Sequence, residues 1–333
     1  EKNHDSKILI TTSNPFNKNE DLLKNIFEHI TVFDYSDTKN IINWSPNLII
    51  FIDHSIDFQK IEKLFNLKKA FKICFSIWGL PSKISENSNQ LLLLSKWSEL
   101  LYKNNGGKNK KISMIGIPFD IKEISQYNTF IKQNILHKNI SSQEKIITLG
   151  RIGQPAEGSW SPIIIDIFEE VHSSYPNVKL LLVGASKNTV KRANESKLKS
   201  KIILLETIQD RSEIFKIHSS IDIFIHISSF GETFGKVILE ALYSGSFVLV
   251  LNTPWASIGH KFYNFTDDHL IHVNNIKNIK KILLSLIKKI NSKNYKRNFK
   301  IEYIEPYSGE NTIKKILSLY VDRNLSQSIR SIN

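Results

Sequence analysis

Apolar residues in this chain fall into short β-rich runs, separated by stretches whose apolar positions recur every three or four residues. In the first 117 residues the runs are KILITT (7–12), ITVFDYS (30–36), LIIFID (48–53), FKICFSI (71–77) and KISMIGI (111–117). Between them NEDLLKNIFEHI, IDFQKIEKLFNLKK and NSNQLLLLSKWSELLYKN carry the helical spacing. Strand and helix in alternation predict a parallel sheet.

From Pro118 to Lys145 the pattern turns polar and rich in Asn, Ser and Gln, which predicts a linker with a short helix. The alternation then restarts. Strands are predicted at 145–152, 178–185, 201–207, 221–228, 246–252 and 270–275, with helices between them at 161–175, 211–220 and 233–244. Gly245 supplies the stop for the last of these. The chain therefore reads as α/β, with two doubly wound parallel-sheet domains at 1–117 and 145–305, a linker at 118–144, and a C-terminal helix and tail at 306–333. Two such domains in tandem leave a cleft facing the carboxyl ends of both sheets, where ligands of open α/β sheets bind.

Composition agrees with two soluble domains: 333 residues, 41% hydrophobic and 23% charged. The formal net charge of +13 points towards anionic partners, but only six of the 45 basic residues are arginine. The lysines are spread among Asn and Ile, so most of the charge reads as a diffuse solvated surface. The densest basic stretch, 275–300, alternates lysine with Ile and Leu at helical spacing and predicts an amphipathic helix with a wet basic face. Contact with an anionic membrane is the weaker reading. The lone Cys74 lies in an apolar run and is expected to be buried in a reducing compartment. No apolar run reaches the ~18 residues of a spanning helix, and the expectation is a cytoplasmic protein, peripheral to a membrane at most.

The chemistry concentrates at SSFGETFGKVILEALYSG (228–245), read as turn and helix after a strand. A helix beginning near Phe234 or Gly235 directs first-turn N–H groups at the cleft, and with the macrodipole these favour a pyrophosphate. Gly235 lets a ligand approach closely. Glu232 stands before the helix, placed to accept from sugar hydroxyls, and Glu240 lies further along it, placed to accept from two ribose hydroxyls. Arg151, in LGRIG (149–153), ends the first strand of the second domain, where its fork suits a phosphate.

These residues resemble the donor domain of family 4 glycosyltransferases, retaining enzymes of the GT-B fold. LGRIG is similar to their strand-end G-R, LLLVGA to their hydrophobic run ending in V-G, and SSIDIFIHISSFGETFGKVILEALYSGSFVLVLNTPW to their E-x7-E block. The resemblance covers roughly 145–255; MIGIPFDIKEI (114–124) loosely resembles the preceding linker.

The resemblance implies a nucleoside diphosphate sugar as donor substrate, with no cofactor and no metal. Glu232 would contact the donor sugar, Glu240 the ribose and Arg151 the diphosphate. The backbone of Thr233, Phe234, Gly235, Lys236 and Val237 would hold phosphates and sugar, alongside Gly150 and Gly153. The base would lie between Val183, Gly184 and Ala185 and the segment Thr207, Ile208. A glycan, lipid-linked or protein-linked acceptor would receive the sugar, and no nucleic acid is implied.

The sequence departs from the family in two places. Ser159 stands near the usual second phosphate-binding lysine, leaving Lys236 or Lys187 as substitutes. The opening strand is followed by TSNPFNKNED rather than a glycine-rich acceptor loop, leaving His54 and Trp78 as acceptor-side candidates. Either Trp78 is a ring for stacking on sugar or it is an ordinary buried tryptophan, and burial is the expectation. The competing function is a weak or inactive nucleotide-sugar-binding scaffold on the same fold. Metal-site, Walker A and dinucleotide motifs are absent from the sequence.

Overall fold

The computed structural model describes residues 8–10, 30–32, 38–44, 46–53, 58–121, 124, 146–228, 231–251, 257–258, 268–292, 295–297 and 301–330. His54, the later part of the run 30–36 and most of the expected linker lie outside the described residues. The chain divides into two compact units, one drawn from Glu1–Leu94, Ser98–Met114 and Ile316–Asn333, the other from Ser95–Trp97 and Ile115–Lys315.

In chain order the first unit runs β1 (Ile8–Ile10), β2 (Ile30–Val32), α1 (Thr38–Trp44), β3 (Leu48–Asp53), α2 (Phe58–Phe65), β4 (Phe71–Ser76), α3 (Lys83–Asn87), β5 (Gln90–Leu93), α4 (Lys96–Asn104) and β6 (Ile112–Met114). Strands β3, β4, β5 and β6 form a parallel sheet in that order, and β1 pairs with β2. Phe51, Ile61, Phe65, Cys74, Leu91, Leu93 and Tyr102 fill its core, with Cys74 buried as expected.

One expectation here is corrected. The stretch 87–104 is not one helix: a strand, β5, precedes α4. Its four residues are all buried, and a strand buried on both faces shows no alternation, so periodicity alone does not separate it from a helix. The short α3 before it is closed off by a reciprocal cap, in which Ser82 accepts from the Ser85 N–H and its own N–H donates to the Ser85 hydroxyl.

The second unit runs β7 (Ile147–Ile152), α5 (Ile163–His172), β8 (Val178–Val183), α6 (Lys187–Asn194), β9 (Ile202–Leu205), α7 (Arg211–Ser220), β10 (Ile223–His226), β11 (Gly231–Glu232), α8 (Lys236–Tyr243), β12 (Phe247–Leu251), β13 (Ser257–Ile258), β14 (Leu270–Val273) and α9 (Ile279–Asn291). The last helix, α10 (Gly309–Arg330), begins here and ends among residues of the first unit.

Six strands form one parallel sheet in the order β9-β8-β7-β10-β12-β14. That is the doubly wound order in which the chain reverses direction across the sheet between its first and fourth strands, here β7 and β10. The core joins the sheet to Trp160, Phe168 and the apolar face of α9. Helix α9 is the expected amphipathic one: Ile279, Leu283, Leu286, Ile287 and Ile290 are buried, and Lys281, Lys288 and Lys289 are exposed. Among the described residues no helix is long and apolar enough to cross a membrane.

Candidate functional site

Between β7 and β10 the carboxyl ends of neighbouring strands lead away in opposite directions, which opens a crevice for ligands. The loops leaving β7, β8 and β9 converge beside it. A Cβ on Gly184 would lie 2.1 Å from the Gly153 carbonyl oxygen and 3.2 Å from the Thr207 hydroxyl, and Gly184 takes a φ of +65°. Only glycine satisfies both conditions. Backbone bonds lock the arrangement, with Gly153 N–H donating to Val183 O at 3.1 Å and Gly184 N–H to Leu205 O at 3.0 Å. Gly153, Gly184 and Thr207, expected from the sequence to share a site, are thus brought together. Ile208 follows, half-buried.

Gly150 is different. A Cβ there would meet the Ile221 side chain at 2.6 Å. It lies inside the sheet, and its missing side chain makes room for Ile221.

Arg151 also departs from expectation. It is 2% exposed rather than standing at an open rim. Its Nη1 donates to the Ile227 carbonyl and its Nη2 to the Ser159 carbonyl, and the guanidinium lies 4.7 Å from the centre of the Trp160 ring. The side chain is a staple between the end of β10 and the turn at 157–160. Charged hydrogen bonds of this kind contribute about 1.5–3 kcal/mol each. The short sequence separation to Ser159 hints at the contact; the partner at Ile227, 76 residues away, has no local signal.

After β10 the chain makes the two-residue strand β11, pairing Gly231 with Ser257 and Glu232 with Ile258. This places Glu232 on the backbone just ahead of α8. Gly235 is the cap residue of α8, with φ 80° and ψ 52°, a left-handed conformation that favours glycine. Helix α8 starts at Lys236, one to three residues later than the sequence suggests.

Thr233 is half-buried and Val237 partly so, and the N–H groups of a first helical turn lack intrahelical partners. The Phe234 side chain is 2% exposed and packs edge-on against Tyr307, ring centres 4.9 Å apart. Lys236 is engaged at its ammonium with the Pro118 carbonyl (3.5 Å) and the Phe119 ring (4.9 Å). Lys187 opens α6 beside a shallow depression of about 550 Å³ that Ala185 also lines. The Asn188 N–H of that helix start donates to the Glu157 carboxylate at 3.2 Å.

Glu240 is buried at 4% exposure. Its Oε1 accepts from Arg211 Nη2 at 2.7 Å, and its Oε2 lies 3.5 Å from Nε2 of the fully buried His218. Burial pushes its carboxyl pKa up, but the neighbouring His218 and Arg211 more than offset this and hold it below the usual carboxylate range. Neither Arg211 nor His218 was singled out from the sequence. Both lie on α7, 29 and 22 positions before Glu240, and the only hint was that a carboxylate among Val237, Ile238, Leu239, Ala241 and Leu242 needs a buried partner.

In the first unit Trp78 follows β4 and is 52% exposed, against the expectation of burial. The adjoining Gly79 has φ +67°, and a Cβ there would meet the Ser98 carbonyl at 2.6 Å, so the turn that carries the ring is tightly seated.

Comparison with known proteins agrees with this fold. Residues 139–301 match the sequence model of the family Glycosyl transferases group 1. The glycosyltransferase from Rickettsia africae ESF-5 superposes with a TM-score of 0.68 at 14% identity, over 94% of this chain and 89% of that one. Anabaena Alr3699/HepE in complex with UDP gives 0.67 at 14% identity, over 91% and 89%. The fold is that of the GT-B glycosyltransferases. Over 104 residues the chain is 27% identical to the phosphatidyl-myo-inositol mannosyltransferase of Mycobacterium tuberculosis; the match covers 31% of this chain and spans 27% of that relative's length.

Proposed function

We propose that the protein is a retaining glycosyltransferase, moving a hexosyl unit from a nucleoside diphosphate sugar to an acceptor hydroxyl in glycan or glycoconjugate synthesis. The observation that carries this is the convergence of Gly153, Gly184 and Thr207 at the reversal of strand order, within the stretch that matches group 1 glycosyl transferases. UDP-sugars are the first donors to test, because Alr3699/HepE binds UDP and UDP-glucose.

In this reading the diphosphate lies at the start of α8, where first-turn amides and the helix dipole stabilise the charge that develops as the bond to the sugar breaks. No metal is required for that. Glu232 accepts from the hydroxyls of the reacting sugar, and Glu240 accepts from the ribose. Arg151 acts through the 157–160 turn it staples. A lipid-linked or protein-linked glycan is the acceptor class, and an acceptor at a membrane would make the protein peripheral to it.

Incubating the full chain with UDP-, GDP- and ADP-hexoses, and following nucleoside diphosphate release with the anomer of the freed sugar, tests the proposal. Slow release from one donor with retained anomeric configuration is expected. An inverted product would remove the retaining mechanism. Tight binding without any release, with or without sugar acceptors, would favour the scaffold reading that Ser159 raises.

A further inference from the structure

The buried charge set around Glu240 carries an inference that rests on the reading above and deepens it. Arg211 is the first residue of α7, whose cap is Asp210, accepting from the Ser212 and Glu213 N–H groups. A cation in the first turn stands at the wrong end of the helix dipole, so helix stability does not explain it. Its guanidinium reaches Glu240 at 2.7 Å and lies 5.2 Å from the centre of the Phe215 ring, with the side chain 36% exposed.

On the other flank the His218 ring is fully buried, packed against Phe215 and Phe224, with its Nε2 towards Glu240 Oε2. Replacing a buried ion pair by apolar residues is often neutral or stabilising. The set is therefore better understood as a device that fixes one carboxylate than as a source of stability. A carboxylate offers about four acceptor positions. With one oxygen tied to Arg211 and the other turned to His218, the remaining lone pairs point in a defined direction.

We propose that Arg211 is a positioning residue for ribose recognition: by holding Glu240 charged and in one orientation, it makes the protein discriminate a ribonucleoside diphosphate from its 2′-deoxy or 3′-deoxy counterpart. Atoms that touch the nucleotide belong to Glu240, and Arg211 acts through it.

The test is calorimetric titration of the full chain with UDP, GDP and ADP, followed by the deoxy forms of whichever binds best. Wild type is expected to prefer the ribose form by about tenfold or more, the scale of one hydrogen bond to a charged acceptor. Glu240→Gln is expected to lose most of that ratio.

Arg211→Met is expected to cut the ratio at least about threefold, and Arg211→Lys, which keeps the charge, to recover much of it. A merely structural arginine would weaken ribose and deoxy forms alike and leave the ratio alone, and that result, or a lysine variant as poor as the methionine one, overturns the inference while leaving the function standing. If wild type shows no ribose preference, or binds none of the three nucleotides, the assignment of Glu240 to ribose itself fails and the inference fails with it.

Discussion

The carboxyl ends of the two parallel sheets are finished in different ways. In the second unit the end is made of backbone and buried charge: Gly184 brings its main chain against that of Gly153, Gly235 caps α8, and Arg151 and Glu240 sit below the surface with protein partners. In the first unit the described part of that end offers an exposed ring, Trp78, on the clamped turn at Gly79, with Leu80 following at 49% exposure. Fixed amides and oriented charges suit phosphates and ribose, which are recognised through directional hydrogen bonds. An exposed ring suits the apolar face of a sugar, which is recognised by contact area. The proposed function assigns the donor to the first kind of surface and the acceptor to the second.

The largest effect expected from breaking this contrast is at Arg151. Arg151→Met removes the donors that the Ile227 and Ser159 carbonyls accept from. Leaving such groups unsatisfied costs about 1–3 kcal/mol each, so a loss of about 3 kcal/mol in urea unfolding is expected. An arginine open to phosphate would behave otherwise: the unfolding midpoint would hold and nucleoside diphosphate affinity alone would fall.

Next in size is the division between the two glutamates. Ribose does not react, so if Glu240 binds it as proposed, Glu240 contributes about equally to ground and transition states and its loss raises donor KM. Glu232→Gln is expected to lower kcat tenfold or more, about 1.4 kcal/mol, with Glu240→Gln keeping most of kcat. Steady-state kinetics showing both variants alike would dissolve the distinction.

Much of the second unit was legible from residue order because its signals are local. Strand–helix alternation, the glycines of the strand-end loops and the position of α8 all follow from backbone demands that a short stretch expresses. What was not legible depends on residues far apart in the chain. Arg151 looks like a rim cation until Ile227 closes over it, and neither the packing of the Phe234 ring on Tyr307 nor the room that Gly150 leaves for Ile221 has a local signal. The partners of Glu240 come from another helix altogether. In the first unit β5 was hidden for a local reason, since a fully buried strand carries no alternation.

A smaller effect is expected with pH. Glu240's carboxyl is held below its usual range, against the upward push of burial, by His218 and Arg211. A group with a depressed folded pKa contributes stability above its unfolded value, roughly 4.3, and that contribution is lost as pH falls through the still lower folded value. The stability difference between wild type and Glu240→Gln should therefore stay level from pH 7 to about 5 and shrink below about 4. Denaturant midpoints along that series check it, and a difference that grows in acid would mean the carboxyl is protonated in the folded protein.

Trp78 carries the clearest test of the first unit's part in the comparison. The residue is about half exposed, and its buried half, on the order of 100 Å² at ~25 cal/mol per Å², means that Trp78→Ala should cost about 2 kcal/mol of stability while leaving the protein folded. Covering about 50 Å² of the ring with a sugar would contribute roughly 1 kcal/mol at ~25 cal/mol per Å², which raises acceptor KM by about fivefold when the ring is removed. Donor hydrolysis without acceptor and affinity for nucleoside diphosphate should not change, because the reading places the donor on the second unit. Loss of donor affinity in this variant would end the division between a hydrogen-bonding donor side and a stacking acceptor side, and unchanged acceptor KM would return Trp78 to the solvated surface.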